Sequence, residues 1–181
     1  NTFQGQTKRS SAFWRPTEGK SQIRIVPLTD CPENPFIELY FHYLGNRSHL
    51  SPISNGNPDP IAEFAENLRS EGTRDAYQQA RAFMPKLRTF VPIVVRGEED
   101  MGVRFYSFGK TVYQALLTYI NDPDYGDITH IETGRDIVVD YTPQEKSDTN
   151  FAKTTILVKP NQTPISEDAS LVERWTTNQP N

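Results

Sequence analysis

The sequence predicts a mainly β fold class: an OB-type, partly open Greek-key barrel with an inserted helical lobe and additional short helices. Three observations carry that expectation. Fourteen prolines and ten glycines divide the 181 residues into short segments, which suit strands better than long helices. Most of those segments alternate apolar and polar side chains, the period of a half-buried strand. Helical periodicity follows the second strand and a later hairpin, so helices decorate roughly five to seven strands and do not alternate with them. A chain of this length suits one domain with decorations, and a hydrophobic fraction of only 35% implies much surface and long loops.

Taken in order, residues 1–12 form a polar and basic segment expected to be disordered, with order beginning near Phe13-Trp14. "KSQIRIVPL" reads as a strand with Ile23 and Ile25 on one face and Arg24 on the other. "NPFIELYFHYLG" is a second strand, stopped at Gly45, and "NRSHLSPISNGNPDP" is then a long excursion, not a tight hairpin. Asp59 suits an N-cap, with Pro60 at the first helical position and Ile61, Phe64, Ala65 and Leu68 at helical spacing. A second helical segment follows from about Thr73 to Phe83. These helices make an insertion lobe at about 46–84 inside a core of 13–165. "RTFVPIVVRG" and "VRFYSFG" form a hairpin about "GEEDMG", where Pro92 fits an edge strand or a bulge. Gly109-Lys110 introduces a helix with the stripe Val112, Leu116, Tyr119 and Ile120. "DITHIETGRDIVVDYTP" gives two strands about Thr133-Gly134, "KTTILVKP" a last one, and residues 166–181 a tail with one short helix.

Several function classes are disfavoured. The lone Cys31 excludes an internal disulfide and a thiolate-rich zinc site, and points to a reducing compartment. Without an apolar run of about eighteen residues or a signal-peptide pattern, a soluble, cytosolic protein with no membrane partner is expected. His42, His49 and His130 are scattered, and no nucleophile-elbow, phosphate-loop or zinc-protease spacing occurs. No catalytic residue, cofactor or small-molecule substrate is therefore expected.

The formal net charge of -4 argues mildly against a polyanion partner, but its distribution argues the other way. Arg81, Lys86, Arg88 and Arg96 follow one another without an intervening acid, while acids gather at Glu98-Glu99-Asp100, along Asn121 to Asp127, and at Glu167-Asp168. Segregated charge can make a basic groove on an acidic protein. Alternation places Lys86, Arg88 and Phe90 on one face of a strand, and Arg104, Tyr106 and Phe108 on one face of its neighbour. Arg24 extends that cationic track. Cations for phosphates and flat rings for unstacked bases are what single-stranded nucleic acid requires. The alternative is that Phe90 and Phe108 are core and the basic residues keep an edge soluble; for Tyr40 and Tyr43, core packing weighs at least as much as binding.

"IRIVPL", "NPFIELYFHYL", "VVRG" and above all "VRFYSFGKTVYQALLTYI" followed by "DITHIETGRDIVV" resemble, in order from about Trp14 to Ile165, the core of the T-even-type bacteriophage single-stranded DNA-binding (helix-destabilising) proteins. The resemblance implies an OB-type fold that coats single-stranded DNA without sequence preference in phage replication, recombination and repair, in the cytoplasm of an infected host. It also implies partners in further copies along the strand and in replication proteins. Arg24 and Tyr106 match family positions associated with the DNA cleft, Lys86-x-Arg88-Thr89 is similar to a basic-then-hydroxyl cluster, and Lys110 closes the Tyr-x-Phe-Gly-Lys motif. Lys8-Arg9-Ser10-Ser11 looks like the cluster of the N-terminal cooperativity segment, although Trp14 follows too soon for that segment's helix. Familiar members hold a zinc with one His and three Cys; His42 falls at the His position, but Ser51, Asn57 and Pro60 lie where thiolates belong, so no metal is expected. Two other readings stay open: an OB-type interaction module of a phage assembly, and single-stranded RNA binding.

Overall fold

The computed structural model describes residues 12–180. The expected N-terminal segment, with Lys8 and Arg9, lies outside them apart from Ala12. Among the described residues the chain forms β1 (Phe13–Trp14), β2 (Gly19–Ile25), β3 (Ile37–Leu44), β4 (Arg47–Leu50), α1 (Pro60–Ser70), α2 (Arg74–Phe83), β5 (Lys86–Val95), β6 (Arg104–Phe108), α3 (Lys110–Ile120), β7 (Arg135–Thr142), β8 (Lys153–Gln162) and α4 (Ala169–Thr177). The eight strands make one mixed sheet that does not close. The chain divides into two compact units, one of Asn1–Pro35, Val91–Ser107 and Gln114–Asn181, the other of Phe36–Phe90 and Phe108–Tyr113.

In the first unit the strand order is β1-β6-β5-β2-β7-β8. β1 runs parallel to β6, whereas β2 is antiparallel to both β5 and β7. Register brings Ile23 opposite Val95 and Ile137, and Ile25 opposite Ile93. All of these are buried together with Val139, Ile156 and Val158, because antiparallel partners share a face and strand residues two apart do too. A separate apolar cluster gathers Val26, Val94, Val103, Ile165 and Trp175. The segment after Ile165 therefore does more than trail: Asp168 caps α4 by accepting from Ser170 N, and Trp175 on that helix is 1% exposed.

Three local expectations are corrected here. Pro92 lies in an inner strand, not at an edge. It is accommodated because the β2 ladder ends at Ile25 opposite Ile93, and beyond it Val26 N needs only the Pro92 carbonyl, at 2.9 Å. "DITHIE" is turn, not strand. Asp127 Oδ1 accepts from Thr129 N and His130 Nδ1 from the amides of Glu132 and Thr133, local bonds that compete with a ladder. β3 and β4 do form a tight hairpin, in place of the expected excursion, because Gly45 takes φ +61 at the first position of a two-residue turn.

In the second unit β3 pairs with β4 on one side and with the first half of β5 on the other. α1 forms as its cap predicts, Asp59 accepting from Ile61 N and Ala62 N, and α2 is capped by Thr73, which accepts from Ala76 N. The two helices contact each other and bury the small side chains Ala65, Ala76 and Ala80.

Candidate nucleic-acid interface

In the second unit, alternation along β5 puts Lys86, Arg88 and Phe90 on one face while Thr89, pointing the other way, is buried. Their partners on β3 are Phe41, Leu39 and Ile37, and register with β4 adds Leu50 opposite Phe41 and Ser48 opposite Tyr43. The result is a half-open sheet face on which rings and cations are neighbours. Phe41 and Phe90 have ring centroids 5.9 Å apart, and Lys86 Nζ lies 5.8 Å from the centre of the Tyr43 ring. Tyr43 and Leu50 remain 44% and 48% exposed. A Cβ built on Gly109 would come 3.5 Å from Arg88 Nη1, so the Arg88 guanidinium borders the start of α3, where Lys110 is exposed. Lys86, Arg88, Phe90 and Lys110 are thus brought together in one unit.

The other expected site residues face inward, which reverses the assignment of the β6 faces. Arg104, Tyr106 and Phe108 are buried, whereas Phe105 and Ser107 are the more open residues. The cause is aromatic packing. Parallel register sets Trp14 beside Tyr106, edge to face at 5.0 Å; in the second unit Phe108 stacks on Tyr113 at 6.4 Å. Arg104 is neutralised by Glu98 from the hairpin turn.

Arg24 is likewise no part of an open cationic track, being fully buried. Its Nη2 donates to the carbonyls of His130 at 2.8 Å and Thr163 at 2.7 Å, and its Nη1 to Thr163 Oγ1 at 3.1 Å. Asp136 lies between Arg24 and Arg96, accepting from Arg96 Nη2 at 2.9 Å and from Gln22 Nε2 at 2.6 Å. Burial works to raise the Asp136 pKa, but the bonds and charges of Arg96, Gln22 and Arg24 hold it below the usual carboxylate range. Burial, with Arg96 nearby, lowers the Arg24 pKa against the pull of Asp136.

The helical lobe is tied by a second buried network. His42 Nε2 meets Asp59 Oδ2 at 2.7 Å, His42 Nδ1 meets the Phe83 carbonyl at 2.8 Å, and Ser51 Oγ donates to the same Asp59 oxygen. These are the residue types of a hydrolase triad with different wiring: the serine bonds the carboxylate, and both ring nitrogens are already engaged. Nor do they fit a structural zinc site. No thiolate is present, the one imidazole is committed, and no three His, Cys, Asp or Glu side chains among the described residues are grouped to hold a metal. Burial pushes the Asp59 pKa up, yet the bonds from Ser51, His42 and Ala62 N outweigh it and bring it down to about 2.

A family model described as gp32 DNA binding protein like matches residues 17–178. The chain belongs to that family. DNA is accordingly the partner of this gp32-like protein, and the family is one of binding proteins, not of enzymes. No curated protein matches the chain, and among the described residues no helix is long and apolar enough to cross a membrane. The sequence groups Lys86, Arg88 and Phe90 on one face but does not single out Phe41 or Leu50, and it leaves Tyr43 open. The signal was the alternation Ile37, Leu39, Phe41, Tyr43; it did not decide because the opposite face of β3 carries Tyr40 and His42, which look equally suited to either role.

Proposed function

We propose that this gp32-like protein binds single-stranded DNA without sequence preference, coating it and destabilising its secondary structure during phage replication, recombination and repair. The observation that supports the reading is the sheet face on which Lys86 and Arg88 alternate with Phe41, Tyr43 and Phe90. Phosphates and base planes are common to all nucleotides, so a face of cations and rings binds tightly without reading bases. Duplex melting then follows by linkage, since a ligand that prefers the unpaired strand draws the equilibrium towards it. In this reading the open sheet is of OB descent, and Arg24, Arg104, Tyr106 and Phe108 act from inside by holding its strands and loops in place.

The test is intrinsic fluorescence titrated with oligo-dT, oligo-rU and duplex DNA at one moderate salt concentration. Binding to oligo-dT at least about tenfold tighter than to duplex is the expected result, each stacked base contributing roughly 1 to 3 kcal/mol. Equal binding to both overturns the single-strand reading, and tighter binding to oligo-rU moves it to RNA.

A further inference from the structure

Tyr43 and Lys86 stand together in a way that neither packing nor solubility requires. Tyr43 is on β3 and Lys86 on β5, and the ammonium sits within cation–π reach of the ring, 5.8 Å from its centre. Both side chains are exposed, the ring by 44%. From the β5 side the ring is flanked by Lys86; on the β4 side the residue opposite it is Ser48, too small to cover it. Behind the pair, His42 is locked by Asp59 and the Phe83 carbonyl, which anchors the stretch of β3 from which Tyr43 projects.

We propose that Tyr43 and Lys86 form a one-nucleotide subsite for single-stranded DNA, the base stacking on the ring face towards β4 while the Lys86 ammonium takes the adjoining phosphate. The subsite rests on the single-strand reading above and adds to it the residue that meets the base. A stacked base raises the electrostatic pull between ring and ammonium little, but it replaces water over an exposed apolar surface. The lysine, already positioned by the ring, loses less side-chain freedom on meeting the phosphate than an unrestrained one would.

The experiment compares the intact protein with Tyr43→Leu, Tyr43→Phe and Lys86→Gln in oligo-dT titrations across salt, and maps photocrosslinks to a bromodeoxyuridine-substituted oligo-dT. Tyr77→Leu, which removes an exposed tyrosine on α2, is the control. Tyr43→Leu is expected to weaken binding by roughly five- to a hundredfold with an unchanged salt slope, Tyr43→Phe to recover the loss, and Tyr77→Leu to bind normally. Lys86→Gln is expected to make the slope shallower by about 0.7, one phosphate contact fewer. The crosslink should fall on Tyr43. If the intact protein prefers oligo-dT but Tyr43→Leu binds as tightly and the crosslink maps elsewhere, the subsite is wrong and the single-strand reading stands. If the intact protein shows no such preference, the reading fails and the subsite with it.

Discussion

Gly134 illustrates how much a single position can depend on its surroundings. A Cβ there would lie 2.4 Å from the His130 carbonyl oxygen, 2.7 Å from that of Ile128 and 2.6 Å from Arg24 Nη2. Two of the obstacles are backbone, and the third is a guanidinium held by carbonyls on both sides. Gly134→Ala is therefore expected to lower the unfolding free energy by about 1 to 3 kcal/mol in urea melts, the range for an overpacked core. Gly109→Ala, whose Cβ would meet Arg88 Nη1 at an ordinary 3.5 Å, is the natural comparison and should change stability less. The same neighbourhood explains why Arg24 was misread. Between Ile23 and Ile25 an arginine alternates outward, and its reach to the carbonyls of His130 and Thr163 depends on loops more than a hundred residues away in sequence.

At the scale of the element, the lobe shows two helices that were legible in sequence and an anchorage that was not. Asp59 and Pro60 mark the start of α1 in sequence, and the structure uses them as such. That the other Asp59 oxygen binds His42 and Ser51 could not be read, because it joins a strand, a turn and a helix start that only folding assembles. Asp59→Ala removes a cap and leaves the buried His42 and Ser51 without their acceptor. A loss of about 3 kcal/mol in thermal or urea unfolding is expected. The sign of the pH effect follows from a carboxylate whose folded pKa, about 2, lies below its unfolded value near 4. Its contribution is complete above about pH 4 and is lost as pH falls through 2. Stability measured between those values should decline in the intact protein, and Asp59→Asn, which can still cap the helix, should lack that part of the decline.

For the molecule as a whole, a net charge of -4 and DNA as partner are reconciled by distribution. The acids of Glu98 to Asp100 and of Asn121 to Asp127 belong to the first unit, whereas Lys86, Arg88 and Lys110 belong to the second. Local potential, not net charge, governs attraction at distances within a Debye length, about 8 Å at physiological salt. If about three to five cations neutralise phosphates, the logarithm of affinity against the logarithm of salt should have a slope between about -2 and -3.5 for a single strand. A flat dependence would show that rings alone hold the ligand. Arg88→Ala should reduce the slope by about 0.7, one phosphate contact fewer.

By itself the sequence determined a mainly β architecture, the cap of α1, the existence of α2, the hairpin of β5 and β6, and the alternation that gathers Lys86, Arg88 and Phe90. Each of these depends on residues near one another in the chain, where period and turn chemistry act directly. Only the tertiary structure decided which face of β6 is buried, where Arg24 points, and that His42 is bound by Asp59 and the Phe83 carbonyl. Alternation separates two faces of a strand but carries no sign, and for β6 the sign came from Trp14, which parallel pairing lays against Tyr106.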